Sequence, residues 1–177
     1  MVRASLASVD VRFNDGSGAL GPGTGYGMTM TPGSIVAPDL DGNGRPDLVV
    51  LTSSATVSVR LDAGNGTFGP KADYPTGANP KSLAAGDVNG DGKADLVVVR
   101  SNSFTVSLLV NDGDGTFAPK VDYPAGQNPN GAVFEDLDGD GKDELLVTDK
   151  NSNTVGVLVS NGDGTLAPKV DYPTGPA

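Results

Sequence analysis

Four copies of one unit run through this sequence, and that periodicity constrains the fold more than any other feature. A Gly-x-Gly turn recurs at Gly16/Gly18, Gly64/Gly66, Gly113/Gly115 and Gly162/Gly164, at spacings of 48, 49 and 49 residues. A large apolar residue follows two positions on (Leu20, Phe68, Phe117, Leu166), and a tyrosine six positions after that (Tyr26, Tyr74, Tyr123, Tyr172). The extra residue of the later copies falls around 101–104. Units of this size bury their apolar surface against neighbouring units, so the repeat sets the architecture before any single element is placed.

Within a unit the apolar residues alternate with period two, as in TVSLLV (105–110) and TVGVLV (154–159), and each run is bounded by Gly, Asn, Asp or Ser. That is the signature of short antiparallel strands joined by turns. In the second full unit the pattern predicts strands at 82–87, 95–100, 105–111 and about 120–126, in order A, B, C and D. Four strands in about 48 residues make one blade of a β-propeller. The fold class expected is therefore all-β, a propeller of four-stranded antiparallel blades.

The phase of the repeat sets the organisation. MVRASLASVDVRF, from Met1, aligns with VVLTSSATVSVRL (49–61), so the chain opens near the end of a strand B. One repeat domain, 1–177, then comprises about 3.5 blades. Residues 1–38 hold a half blade and the first strand of the next, and units 39–86, 87–135 and 136–177 each open on an acidic loop. A half blade plus three full blades leaves inter-blade apolar surface open, so this is either part of a longer propeller or one of several copies that assemble. Two copies supply seven blades' worth of strands, and a homo-oligomer that completes the ring is an expected partner.

Composition removes most catalytic chemistry. With no His and no Cys, the chain has no imidazole base, no thiol nucleophile, no disulfide and none of the usual zinc ligands. Aromatic residues are only 5% and Trp is absent, which disfavours a large apolar ligand cavity. The net charge of −10 repels nucleic acid and anionic lipid. Apolar runs of only a few residues predict no membrane insertion, and no signal-type apolar segment is seen at Met1.

The acids are concentrated where strands A and B meet. DLDGNGRPDL from Asp39, DVNGDGKADL from Asp87 and DLDGDGKDEL from Asp136 share one pattern, with Asp first, an oxygen side chain third and fifth, Gly fourth and sixth, and Asp or Glu ninth. Hard cations such as Ca²⁺ take six to eight oxygen ligands. The candidate side-chain ligands are Asp39, Asp41, Asn43 and Asp47; Asp87, Asn89, Asp91 and Asp95; and Asp136, Asp138, Asp140 and Glu144. Arg45, Lys93 and Lys142, at position seven, would give their carbonyls. Glycines at positions four and six let the backbone turn back with positive φ. Position 12 is Val50, Val98 or Val147 rather than the Glu of an EF-hand loop, and strands, not helices, flank it. Three aligned loops, each with three or four candidate carboxylate ligands within nine residues, repel internally without a cation. About three Ca²⁺ per chain are expected, with the four acids of loop three binding tightest.

NGDGTLAPKVDYPTG (161–175) together with SLAAGDVNGDGKADLVV (82–98) resembles the VCBS and FG-GAP repeats, the blades of integrin-α-type calcium propellers. The resemblance covers nearly the whole chain. It implies calcium in the A–B hairpins of a propeller, in proteins that are mostly secreted or on the cell surface and act in adhesion, as lectins or as scaffolds. The first half-copy departs from it, reading LGPGTGYGM where the others read FxPKxDYPxG.

The function expected is a non-catalytic, calcium-stabilised binding, adhesion or scaffolding module outside the cell or at its surface, with a protein or glycan ligand. The alternative is a carbohydrate-binding lectin propeller, though the tyrosines recur so regularly that packing between blades is their expected role. Only Phe104 and Phe134 stand outside the repeat. A calcium-assisted polysaccharide lyase or a glycosidase is the remaining alternative. The unique acids Glu135 and Asp143 flank loop three, while Asp112, Asp114, Asp163, Asp73, Asp122 and Asp171 read as turn and edge residues. Lys71, Lys120 and Lys169 read as edge or inter-blade charges.

Overall fold

In a computed structural model that describes residues 7–14, 16–28 and 30–175, the strands form three four-stranded meanders and one two-stranded sheet, all antiparallel. The half sheet is β1 (Ser8–Val11) with β2 (Thr24–Gly27). Sheet I contains β3 (Pro32–Val36), β4 (Leu48–Thr52), β5 (Thr56–Arg60) and β6 (Ala72–Pro75). Sheet II contains β7 (Pro80–Gly86), β8 (Asp95–Arg100), β9 (Thr105–Leu109) and β10 (Val121–Pro124), and sheet III contains β11 (Pro129–Glu135), β12 (Glu144–Asp149), β13 (Thr154–Leu158) and β14 (Val170–Pro173). In each, sequence order is spatial order. The correspondence expected for residues 1–6 lies outside the described residues.

The second strands of sheets I and II carry continuous apolar runs because both of their faces are covered, whereas in β12 Leu146 is half-buried and Thr148 exposed on the open face of sheet III. In β8, Leu96 and Val98 join Val49, Leu51 and Val57 of sheet I in one core, while Val97 and Val99 join Leu145 and Val147 of sheet III in another. Period-two alternation thus sends successive residues to opposite neighbours. Met28, Leu48 and Val50 form a smaller core with residues of the half sheet. The last strands are exposed and end at Pro75, Pro124 and Pro173, as suits edge strands that need no further N–H donor.

Two details differ from the sequence reading. The first strand of sheet II begins at Pro80, earlier than expected, with a register shift before Ser82. The third ends at Leu109, because Asn111 pairs with Phe117 in an isolated bridge that closes the Gly-x-Gly turn. The strand bearing Thr24–Gly27 forms despite its divergent LGPGTGYGM segment.

The tyrosines join each sheet to the next. The Phe68 amide donates to Tyr26 Oη at 3.1 Å, and the Leu166 amide donates to Tyr123 Oη at 3.1 Å. Tyr26 packs edge-on against Phe68 and Tyr74 against Phe117, with ring centroids 5.3 and 5.1 Å apart. Tyr172 is 56% exposed. Val133, which occupies in sheet III the place of buried Ala84 in sheet II, is likewise exposed.

Candidate metal centres

Each acidic loop is the A–B connection of a four-stranded sheet. The glycines at positions four and six take positive φ in every copy: 75° and 77° at Gly42 and Gly44, 75° and 80° at Gly90 and Gly92, and 81° and 85° at Gly139 and Gly141. That geometry turns successive backbone amides inward onto the carboxylate that opens the loop. Asp39 Oδ1 accepts from the amides of Gly42 (2.9 Å) and Asn43 (3.1 Å), and Oδ2 from Gly44 (2.8 Å). Asp87 does the same with Gly90, Asp91 and Gly92 at 2.8, 3.2 and 2.7 Å. Asp136 accepts from Gly139 and Gly141 at 2.7 and 3.0 Å. Partial desolvation pushes the Asp39 carboxyl up, but the amides of Gly44, Gly42 and Asn43 and the Lys93 ammonium outweigh it, holding it below the usual range.

Positions three and five each cap the amide two residues on. Asp41 Oδ1 accepts from Asn43 and Asn43 Oδ1 from Arg45. Asn89 Oδ1 accepts from Asp91 and Asp91 Oδ1 from Lys93. Asp138 Oδ1 accepts from Asp140 and Asp140 Oδ1 from Lys142. The position-seven side chains turn to other carboxylates or loops. Arg45 Nε donates to Asp62 at 2.6 Å, Lys142 Nζ donates to Asp140 at 2.5 Å, and the Lys93 amine lies against Gly42 of loop one.

The ninth residue is buried. Asp47 and Asp95 are fully enclosed and Glu144 is 3% exposed. Asp47 accepts the Leu40 amide on Oδ2 (2.8 Å) and the Asp62 amide on Oδ1 (2.7 Å). Asp95 likewise takes the amides of Val88 and Asn111, and Glu144 takes that of Leu137 at 3.0 Å. Burial raises the Asp47 carboxyl, helped by Asp41 and Asp39, and the two amides do not offset it. Burial pushes Asp95 up to about 6, the amides of Asn111 and Val88 opposing and the charges of Asp91 and Asp87 adding to it.

Ligand atoms of Asp39, Asp41 and Asp47 lie within 4.8 Å of one another, as do those of Asp136, Asp138 and Glu144. Asp140, at position five of loop three, stands outside its group. Loop two has the amide of Asn89 at the third position, between Asp87 and Asp95. The donor set is all oxygen, with negative charge gathered at desolvated carboxylates, and it fits a hard divalent cation.

Three anchors of these loops were missed in the sequence, Asp62, Asn111 and Ser160, and Asp143 was read only as an acid flanking loop three. Asn111 Nδ2 donates to the carbonyls of Leu40 (2.8 Å) and Ala94 (3.1 Å), and Ser160 Oγ donates to the Val88 carbonyl, so each ties its sheet to the loop of the preceding one. A polar residue two positions before every Gly-x-Gly turn was the available signal. The other singular residues are structural in their contacts. Phe134 is buried between sheets II and III, and Glu135 pairs with Glu144 where their strands begin and end. Asp114 and Asp163 cap their turns through Thr116 and Thr165. Lys71, Lys120 and Lys169, each just before the last strand of its sheet, pair with the aspartate two residues on. Phe104 is half exposed at φ 54°.

Stacked antiparallel meanders with an acidic loop at each A–B turn define a β-propeller-like repeat module. Residues 39–98 and 87–147 each match the FG-GAP-like repeat, and the chain belongs to that family. No curated protein matches the chain. Among solved structures, a functionally unknown protein from Desulfotomaculum acetoxidans aligns over 87% of this chain and 47% of its own, with a TM-score of 0.66 and 16% identity. A mutant of NanB sialidase from Streptococcus pneumoniae aligns over 94% and 28%, with a TM-score of 0.65 and 13% identity. A Photorhabdus luminescens Tc holotoxin pore aligns over 97% and 9%, with a TM-score of 0.51 and 21% identity. The chain therefore spans less than half the length of each of these proteins, and the likeness is one of fold. Among the described residues, no helix is long and apolar enough to cross a membrane.

Proposed function

We propose that loops one, two and three each hold one Ca²⁺, and that the chain is a non-catalytic, calcium-stabilised binding or adhesion module working outside the cell or at its surface. The observation that carries this is the gathering of Asp39, Asp41 and Asp47, and of Asp136, Asp138 and Glu144, within 4.8 Å, with a buried carboxylate at the ninth position. An uncompensated buried charge is costly and a divalent cation compensates it. At free calcium 100 times the dissociation constant, each site adds about 2.7 kcal/mol of stability, so millimolar extracellular calcium makes the ions part of the fold. Titrating Ca²⁺ calorimetrically into chelator-stripped protein tests the reading: about three sites per chain are expected. A folded chain that takes up no calcium overturns it.

In this reading each sheet is a propeller blade and the chain supplies about 3.5 of them. The face of sheet III that carries Val133, Leu146 and Tyr172 corresponds in position to the face, with Ala84, Val97 and Tyr123, by which sheet II covers sheet III. A second copy of the chain is the occupant that continues this packing. Light scattering behind size exclusion is expected to report a dimer or larger assembly in calcium, and a monomer across micromolar concentrations overturns that assignment.

A further inference from the structure

Loops two and three meet through a contact that the repeat does not provide elsewhere. The Asp87 amide donates to Asp143 Oδ2 at 2.8 Å, and the Asp143 amide donates to the Asp87 carbonyl at 2.8 Å. The residue just before the last acid of loop three thus grips, at two points, the backbone of the residue that opens loop two. Around this clamp, Ser160 Oγ donates to the Val88 carbonyl, and the Lys142 side chain lies over Gly90, where a Cβ would come within 3.1 Å of Lys142 Cγ.

The clamp depends on two residues that differ from their repeat equivalents. Asp143 stands where loops one and two have Pro46 and Ala94. Gly86 stands where the other copies have Pro38 and Glu135. A Cβ at Gly86 would run into Phe134 and come within 2.7 Å of Asp143 Oδ2, so the absence of a side chain there admits the carboxylate. Between loops one and two the matching pair is Pro38 with Ala94, and Ala94 has no side-chain acceptor for the Asp39 amide. Contact there runs through Asn111 instead.

We propose that Asp143 is a positioning residue that couples the cation site of loop three to that of loop two, an inference that rests on the calcium reading above. Ordering of residues 136–144 around an ion fixes the Asp143 carboxylate and amide. These in turn fix the backbone of Asp87, whose own carboxylate is already held by Gly90, Asp91 and Gly92. Occupancy of loop three therefore raises the affinity of loop two, and by linkage the reverse holds equally. Loop one lies outside this clamp and feels loop three much less.

The test is a calcium titration followed site by site through the backbone amide resonances of Gly42/Gly44, Gly90/Gly92 and Gly139/Gly141. In the wild-type chain, Asp138→Ala, which disables loop three, is expected to weaken loop two about fivefold or more while leaving loop one nearly unchanged. In an Asp143→Ala background the same change is expected to leave loop two where it was. Asp143→Asn, which keeps an acceptor for the Asp87 amide, restores part of the coupling and serves where the alanine variant folds poorly. Resonances that respond to calcium, with loop two indifferent to Asp138→Ala or equally sensitive to it in both backgrounds, overturn the coupling and leave the calcium sites standing. Loop resonances that never respond to calcium overturn both.

Discussion

Asp95 Oδ1 accepts the Asn111 amide at 2.8 Å, so the buried acid that closes loop two also anchors the Gly-x-Gly turn of its own sheet. Because burial pushes this carboxyl up to about 6, the folded chain holds the proton more tightly than the unfolded chain does. Its contribution therefore falls as pH rises from about 4, the unfolded value, to about 6. Asp47, raised by the same cause, acts in the same direction.

The first prediction follows from that sign. In chelator, urea midpoints are expected to decline between about pH 4 and 6, Asp95 accounting for on the order of 2 kcal/mol. Asp39 and Asp122 have lowered carboxyls: desolvation opposes the shift, and the amides on Asp39 and the Lys120 and Ser107 bonds on Asp122 outweigh it. Their contribution is present above the unfolded value and is lost below about pH 4. The stripped chain is thus most stable near the bottom of the window. With millimolar calcium the cation takes the proton's place and the decline is abolished or reversed. A stripped chain whose stability climbs steadily to neutrality contradicts the assignment.

The sheet-to-sheet tyrosines give a second prediction. Tyr123→Phe removes the acceptor of the Leu166 amide while keeping the ring, and is expected to cost about 1 kcal/mol, read from thermal or urea unfolding in calcium. Tyr172→Phe, at an exposed ring, is expected to change stability by less than half of that in the monomeric state. Equal effects at the two positions would deny the hydroxyl its linking role.

A third prediction separates two ion pairs that look alike in sequence. Lys169 Nζ lies 2.7 Å from Asp149 Oδ2 and 2.5 Å from Asp171 Oδ1, and Asp149 Oδ1 has no hydrogen-bond partner among the described residues. Desolvation works against the ammonium, but the bonds to Asp149 and Asp171 raise its pKa above the ordinary lysine value. Lys169→Met leaves a carboxylate that is 2% exposed without its cation, and is expected to cost about 3 kcal/mol. Lys120→Met is expected to cost less than about 1 kcal/mol, because Arg100 still reaches Asp122 at 3.0 Å. Chemical denaturation of both variants in calcium reads the difference.

Much of this was legible because the repeat carries its own controls. Period-two runs placed the strands of sheet II to within a few residues. The glycines at positions four and six announced the positive φ found at Gly90 and Gly92, since the loop folds back on a carboxylate only through such residues. The links between sheets were harder to see. Asp143 and Gly86 matter because each differs from its repeat equivalents and they meet in space, 57 residues apart in the chain. Lys169 and Lys120 read identically, yet their surroundings diverge because the position of Arg100 in sheet II is taken by Asp149 in sheet III. Consensus reveals a repeat, whereas departures from it reveal contacts between repeats only once the sheets are stacked.

The last prediction ranks the acids of loop three. Asp140 gives Oδ1 to the Lys142 amide and Oδ2 to the Lys142 ammonium, so its charge is already engaged. Asp138 belongs to the gathered set with Asp136 and Glu144. Asp138→Ala is therefore expected to remove the tightest calcium step, leaving about two sites in a calorimetric titration, whereas Asp140→Asn weakens that step by less than about tenfold, or 1.4 kcal/mol. If the tightest step survives Asp138→Ala, then loop three is not the strongest site. The three convergent carboxylates of loop one, which has no lysine inside it, become the alternative seat of that step.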